Sequence, residues 1–171
     1  MRKVNILAAA FDAEFRTRAP HLDIRPESDD DHPFLTDLFI AGSPMRDLLP
    51  RPMLEQQAST FSAHNAFAFP HATRRIVTQK GRAIGRIMLD WSPGDHSYGV
   101  DIAVLPEVMG QGVGSAILRA WLATADAAGL PCRFNVFSTN PARDIYARLG
   151  FVAVDEDTGA PYVQMIRPVG G

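Results

Sequence analysis

A glycine-rich segment just past a proline is the part of this chain whose residue types and spacing most directly suggest chemistry. Residues 104–115 read Val-Leu-Pro-Glu-Val-Met-Gly-Gln-Gly-Val-Gly-Ser, and helical periodicity follows. Glycine adopts positive φ and leaves room for a ligand, while the first amides of a helix lack an intrahelical acceptor and attract anions. The backbone from Gly110 to Ser115 is therefore predicted to bind a phosphate or pyrophosphate. A turn that only allows tight helix–strand packing is the alternative.

Two well-characterised phosphate-binding loops do not fit this segment. A P-loop needs a lysine after its last glycine, whereas Ser115 follows Gly114. A dinucleotide-binding loop needs Gly-x-Gly-x-x-Gly after the first strand of a βαβ unit. Counted from Gly110, the sixth position is Ser115, and the segment follows a late strand. Both loop types are excluded.

Composition and charge narrow the class of protein. The 171 residues are 46% hydrophobic and 21% charged, with a net charge of −2, which is typical of a soluble globular domain. Without a basic excess, a nucleic-acid partner is not expected. The single cysteine, Cys132, excludes an intrachain disulfide and favours the cytoplasm. No apolar stretch reaches the roughly 18 to 20 residues that cross a bilayer, so no membrane role is expected.

Hydrophobic periodicity predicts a mixed α/β sheet with helices on both faces, in the order β-α-α-β-β-β-α-β-α-β-β. In the C-terminal part of the chain, Asn140 is predicted to cap a helix whose first residue is Pro141. Asp157-Thr158-Gly159 is predicted to form the turn of the last hairpin. The predicted strands are 22–25, 74–79, 83–91, 98–105, 132–137, 151–154 and 162–167, and the predicted helices are 34–42, 53–64, 113–128 and 141–149.

Residues 1–20 are predicted to form a helical N-terminal extension, and residues 21–171 a single domain. The extension's apolar residues recur at helical spacing and are Val4, Leu7, Ala8, Phe11 and Phe15. Asp29–Asp31 are interpreted as a solvated helix start, with attraction of a cationic ligand as the alternative.

Two motifs together resemble the GNAT family of acetyl-CoA-dependent N-acetyltransferases. The first is the strand end Val104-Leu105-Pro106 followed by Gly112-Val113-Gly114, which is similar to the family's pyrophosphate loop. The second, from Asn140 to Phe151, is similar to its Asn…Tyr-x-x-Leu-Gly-Phe segment. The resemblance covers residues 22–167. It implies a GNAT-like acyl-CoA N-acyltransferase fold with an extra N-terminal helix, and acetyl-CoA as co-substrate.

The resemblance also implies which residues contact the co-substrate. Backbone groups of the strand entering the loop would hold the pantetheine arm and polarise the acetyl carbonyl, and the loop would hold the pyrophosphate. The expected binding residues are Ile102, Ala103, Val104, Gly110, Gln111, Gly112, Val113, Gly114, Ser115, Asn140 and Tyr146.

Tyr146 matches the family tyrosine that protonates the departing coenzyme A thiolate, and a phenol stays protonated at neutral pH. Its alternative role is an amphipathic core residue. Asn135 occupies the place where some family members have a catalytic glutamate. Asp101 is then the nearest acidic candidate for the general base, with a buried structural carboxylate or a water relay to a backbone carbonyl as alternatives. No histidine spacing suggests a metal site.

One departure from the family pattern concerns Met109. It stands where the family has Arg or Gln, and Gln111 follows two residues later. The side-chain support of the pyrophosphate is therefore weaker, and the affinity for acetyl-CoA is expected to be lower than with an arginine at this position.

The resulting hypothesis is a cytoplasmic N-acetyltransferase that moves an acetyl group from acetyl-CoA to a primary amine by direct attack in a ternary complex. Small molecules and peptides both remain open as the acceptor, and the resemblance allows a homodimer. The alternative is a non-catalytic acyl-CoA-binding sensor or accessory domain, which Met109 and Asn135 favour. A nucleotide-binding α/β module is a third.

Overall fold

A computed structural model of the chain describes residues 2–140, 142–154 and 161–170. Short 3-10 turns lie at Asp29–Asp31 and Pro106–Val108. The helices and strands, in chain order, are α1 Arg2–Arg18, β1 Asp23–Pro26, α2 His32–Gly42, α3 Arg51–Ala68, β2 Thr73–Gln79, β3 Arg82–Asp90, β4 Ser97–Val104, α4 Val113–Ala127, β5 Cys132–Phe137, α5 Arg143–Arg148, β6 Val152–Val154 and β7 Tyr162–Arg167.

The strands form one mixed sheet in the order β1-β2-β3-β4-β5-β7-β6. Every neighbouring pair is antiparallel except β4 and β5, which are parallel. Lys80 and Gly81, both at positive φ, make the tight turn between β2 and β3. The predicted fold class and element order are confirmed.

Alternation along β3 separates the two faces of the sheet. Ile87 and Leu89 are fully buried in the main core, together with residues of α1 and α4. Arg86 precedes Ile87 in the strand, so its side chain points to the opposite face of the sheet. There it lines a cavity together with residues of α2 and α3. One face of the sheet is therefore packed as core and the other carries a cavity.

Helix α1 packs on α4. Its Phe11 and Phe15 are fully buried, and Asp12 accepts hydrogen bonds from the guanidinium of Arg75 on β2, at 2.9 Å from Nε. The helix thus covers apolar surface that α4 would otherwise leave to solvent. The division into an extension at 1–20 and a domain at 21–171 stays a prediction.

Several predicted boundaries were wrong. Helix α3 begins at Arg51, so Pro52 lies in its first turn, where a proline is tolerated. Helix α5 begins only at Arg143. Its predicted first residue, Pro141, and the predicted hairpin turn at 157–159 lie outside the described residues. Within the described part of the chain, no helix has the length and apolar character needed to pass through a membrane.

Candidate active site

Strands β4 and β5 pair only at one end. The parallel register joins Ser97–Gly99 to Cys132–Phe134 and goes no further. Val100 is an extra residue in β4, because Asp101 lies opposite Met88 while Gly99 lies opposite Leu89. Such a bulge bends the strand that carries it. From Val100 onward, β4 therefore has an edge without a strand partner among the described residues.

A cavity of about 590 Å³ fills the gap between the parted strands. Ile102 of β4, Phe134 and Asn135 of β5, and Tyr146 of α5 are among the residues that line it. An unpaired strand edge presents N–H and C=O groups in a row, and an extended ligand can bind to them as an added strand would. The gap is therefore shaped for a narrow chain with amide groups.

The glycine loop lies between β4 and α4, the helix packed behind the gap. Gly110 and Gly112 have φ values of 77° and 83°. A Cβ added at Gly110, Gly112 or Gly114 would meet no heavy atom within 4 Å. The amides of Val113, Gly114 and Ser115 have no backbone acceptor within the described residues. This open surface with convergent N–H groups suits the oxygens of a pyrophosphate.

Side chains around the loop contribute little to such a surface. Gln111 donates from Nε2 to the carbonyl oxygen of Glu107, at 2.8 Å, so its amide is used within the loop. Met109 is 58% exposed. Glu107 in turn pairs with Arg82. An anion at this surface would therefore meet backbone amides rather than these side chains.

A second cavity of about 500 Å³ lies between α2, α3 and the sheet. Phe61, Asp101, Phe137 and Tyr162 line both this cavity and the one between the strands. The two cavities therefore meet at these four side chains. Asp101 is the only carboxylate that the described residues place at this junction.

Asp101 belongs to a chain of charged groups. Its Oδ2 accepts from Nη1 of Arg86 at 3.2 Å, and Nε of Arg86 donates to Oε2 of Glu27 at 2.9 Å. Burial raises the pKa of Asp101 above its usual range, although Arg86 opposes the shift. No described residue donates to the other oxygen, Oδ1. Asp101 thus has an oxygen free to take a proton, and a pKa moved toward neutral pH.

Tyr146 points its ring against Phe134, at 4.7 Å between centroids. Burial raises the pKa of Tyr146, so the phenol holds its proton at neutral pH. Its hydroxyl has no hydrogen-bond partner among the described residues, although it lines the gap between the strands. Asn140 accepts at Oδ1 from the amide of Ala142, at 2.8 Å, and so caps the start of the α5 region.

Comparison with known families decides the class of this site. The family model of the acetyltransferase (GNAT) domain matches residues 71–153. The chain carries a GNAT acetyltransferase domain. The match includes Asp101, the glycine loop, Asn140 and Tyr146, and it begins after α3. GNAT domains transfer acyl groups from acetyl-CoA to acceptors such as proteins or small amines, so the predicted acyltransferase is confirmed at this level.

Solved structures share the fold of the GNAT domain at low sequence identity. The PaiA N-acetyltransferase from Thermoplasma acidophilum, solved in complex with coenzyme A, is 16% identical with a TM-score of 0.66, covering 86% of this chain and 98% of that one. A Corynebacterium glutamicum protein described as histone acetyltransferase HPA2 and related acetyltransferase is 21% identical with a TM-score of 0.64, covering 88% and 98%.

The ribosomal-protein-S18-alanine N-acetyltransferase of Escherichia coli is 18% identical with a TM-score of 0.61, covering 86% of this chain and 94% of that one. At these identities the likeness shows the fold alone. No curated protein matches the sequence.

The structure adds residues that the sequence analysis missed. Phe137 and Tyr162 stack at 4.3 Å between ring centroids and form part of the junction of the two cavities. Arg86 donates hydrogen bonds to both Asp101 and Glu27, and Glu27 is distant in sequence from the other two residues. A charged residue inside the apolar strand β3 was a signal for Arg86, whereas nothing in the sequence signalled the ring pair.

Proposed function

We propose that the GNAT domain moves an acetyl group from acetyl-CoA to a primary amine by direct attack in a ternary complex. The observation that carries this proposal is the meeting of two cavities at Asp101. One cavity runs along the unpaired edge of β4 toward the glycine loop, and the other is enclosed by α2 and α3. Thioester and amine can then approach from opposite sides of one carboxylate.

The backbone would hold the co-substrate. Amides from Gly110 to Ser115 bind the pyrophosphate, and main-chain groups of Ile102, Ala103 and Val104 bind the pantetheine arm and polarise the acetyl carbonyl. Open space over the loop glycines supports this placement, as does the edge of β4 beyond Gly99, which has no strand partner among the described residues. Asn140, which lines the gap, lies beside the same arm.

Asp101 and Tyr146 would move the protons. As the amine nitrogen forms a bond to the acetyl carbon, Oδ1 of Asp101 accepts the proton that the nitrogen loses. The C–S bond then breaks, and the hydroxyl of Tyr146 donates a proton to the thiolate. Solvent then takes the proton from Asp101 and returns one to Tyr146, which restores both groups. These roles are supported by the raised pKa of Asp101 and by the hydroxyl of Tyr146, which has no hydrogen-bond partner among the described residues.

Release of coenzyme A separates this proposal from a domain that only binds acyl-CoA. Both functions predict that acetyl-CoA raises Tm, but only the enzyme releases free thiol when a primary amine is added. The test measures thiol and acetylated amine together, with the protein and each substrate left out in turn. Stabilisation by acetyl-CoA with no amine-dependent thiol would identify a sensor. Stabilisation by ATP alone would identify a nucleotide-binding module.

The location, oligomeric state and partners of the protein are separate from this chemistry. A cytoplasmic location, a homodimer and the absence of a nucleic-acid or membrane partner stay predictions. Among the described residues, no group of three His, Cys, Asp or Glu side chains is positioned to hold a metal ion.

A further inference from the structure

We propose that the acceptor is a primary monoamine on an apolar alkyl or aryl body, without a second charge. This inference rests on the proposed function and names the substrate class for the cavity between α2 and α3. It follows from the side chains that form the walls of that cavity and from the few charges that they carry.

The walls are mainly apolar. Leu35 and Phe39 of α2 face the cavity with Phe61 of α3, and the rings of Phe39 and Phe61 lie 5.4 Å apart. Met45, in the connection between the two helices, and Phe137 line it as well. A volume of about 500 Å³ accommodates a small organic molecule. Binding there removes apolar surface from water, which favours an apolar acceptor.

The charges on the walls allow for one ammonium group only. Among the described residues that line the cavity, Asp101 is the only carboxylate, and its Oδ1 can accept from the amine. The nearby acidic residues of the two helices, Asp37 and Glu55, do not line the cavity and both pair with Arg51. A second ammonium would be buried without a carboxylate to pair with among the described lining residues, which is unfavourable.

The acidic run before α2 does not supply the missing charge. Asp31 is buried and accepts from both terminal nitrogens of Arg25, at 2.6 and 2.8 Å, and from the amide of Ser28. It closes the start of the helix region, and the run does not line the cavity. The suggestion that this run attracts a cationic ligand therefore finds no support at the acceptor cavity.

A negative charge on the acceptor is disfavoured for the same reason. Arg86 is the only Lys or Arg among the described lining residues, and it is already shared between Asp101 and Glu27. A free amino acid would bring a carboxylate without an uncommitted Lys or Arg among the described lining residues to receive it, and His32 is the one other basic side chain there. Most of the lining surface is apolar although Thr36, Gln57 and Ser62 contribute polar groups, so the amide groups of a longer peptide would be only partly hydrogen-bonded there.

Binding and turnover together test this substrate class. Calorimetry with coenzyme A present measures the affinity of the protein for phenethylamine, phenylalanine and spermidine. Thiol release with acetyl-CoA gives kcat/KM for the same amines. Phenethylamine is expected to exceed each of the other two at least tenfold in both measurements. From propylamine to hexylamine, kcat/KM should rise roughly fourfold per methylene while the chain is being buried.

A pair of variants tests the walls themselves. Leu35→Glu adds a carboxylate to the cavity, and Leu35→Gln adds a polar group of the same size. Both variants should bind hexylamine more weakly than the parent does. Only Leu35→Glu should raise the kcat/KM of spermidine relative to that of hexylamine, by about tenfold or more. Phe67→Ala is the control, because Phe67 is 88% exposed on α3 and lines neither cavity. It should leave the ranking of amines unchanged.

The outcomes separate this inference from the proposed function. If phenethylamine binds preferentially but no amine releases thiol, the proposed class of amine bound by the cavity is supported, and the proposed acetyl transfer to an amine is overturned. If spermidine or phenylalanine equals or exceeds phenethylamine, or if no amine binds at millimolar concentration, the acceptor class is overturned. A peptide with N-terminal phenylalanine that exceeds phenethylamine tenfold would also overturn it, in favour of a peptide acceptor.

Discussion

The two halves of the β4–β5 pair differ in structure and in what they can do. In the paired half, Nε1 of Trp121 donates to Oγ of Ser97 at 2.8 Å, and that hydroxyl lies 3.4 Å from the sulfur of Cys132. All three residues are buried. In the parted half, the edge of β4 beyond Gly99 has no strand partner in the described part of the chain, and Asp101 lies between two cavities.

This difference shows how one pair of strands can serve both stability and binding. The paired half fixes the angle at which the strands leave each other, because its side chains are packed and hydrogen-bonded. The parted half keeps backbone groups unpaired, so they can bind a ligand. Substitutions in the first half should change stability, and those in the second should change turnover.

The largest effect is expected for Asp101→Asn. Losing the proposed general base should lower kcat/KM by about 10²- to 10⁴-fold. Since the pKa of Asp101 is raised by burial, kcat/KM of the parent enzyme should rise with pH through that pKa and then level off, as the base must be deprotonated. The variant should lose this rise. Unchanged kcat/KM would remove Asp101 from the chemistry.

Asp31→Asn is a matched control, because Asp31 is likewise a carboxylate that accepts hydrogen bonds from an arginine. Here Arg25 lowers the pKa to about 2 from 3.8. This carboxylate therefore stabilises the fold above pH 3.8, and the contribution is lost as pH falls toward 2. Its removal should cost about 2 kcal/mol at pH 7, measured by urea unfolding, and leave kcat per folded molecule unchanged.

Tyr146→Phe should lower kcat about 100-fold and leave KM for the amine almost unchanged, because the substitution removes only the proposed proton donor. The ring still packs against Phe134, so Tm should stay close to that of the parent. Steady-state kinetics at varied amine concentration separate the two constants. A parent-like kcat would leave Tyr146 with a packing role only.

In the paired half, Gly99→Ala should destabilise the protein by about 1 to 3 kcal/mol. The added Cβ would lie 2.8 Å from Cη2 of Trp121, whose ring is fixed by its bond to Ser97. Gly114→Ala is the control for stability, since its Cβ would meet no heavy atom of the described residues within 4 Å. Urea unfolding of both variants tests the contrast, and equal stability of the two would contradict it.

The smallest effect is expected for Met109→Arg. An exposed guanidinium beside the loop should tighten acetyl-CoA binding by about two- to fivefold, a gain typical of an exposed ion pair, and salt should reduce it. Calorimetry at two ionic strengths measures both. If Kd does not change, the methionine does not weaken the loop. Met109→Gln tests the other residue that the family uses here.

The regular parts of the sheet were predictable from sequence. Strands β5 and β7 have the predicted bounds, 132–137 and 162–167, because alternation and turn residues define them locally. Helix α3 was harder, since a proline suits both a loop and the first turn of a helix. The end of pairing after Gly99 has no local signal, because it depends on the bulge in β4.

The candidate site was predictable only where a motif marks it. The glycine loop and Tyr146 lie in segments with recognisable spacing. The walls of the acceptor cavity come from residues far apart in sequence, such as Phe61 and Tyr162, which packing brings together. The bonds of Arg86 to Glu27 and Asp101 likewise join three separate segments. Neither hydrophobic periodicity nor motif spacing predicts such contacts between distant segments.

The buried position of Cys132 has a practical consequence for measuring this chemistry. It is the only cysteine in the chain, it is fully shielded from solvent, and burial raises its pKa to about 11. An aromatic disulfide reagent reacts with thiolates, so it should leave the native protein untouched. Colour would then report liberated coenzyme A without background, and turnover could be followed continuously even at high enzyme concentration.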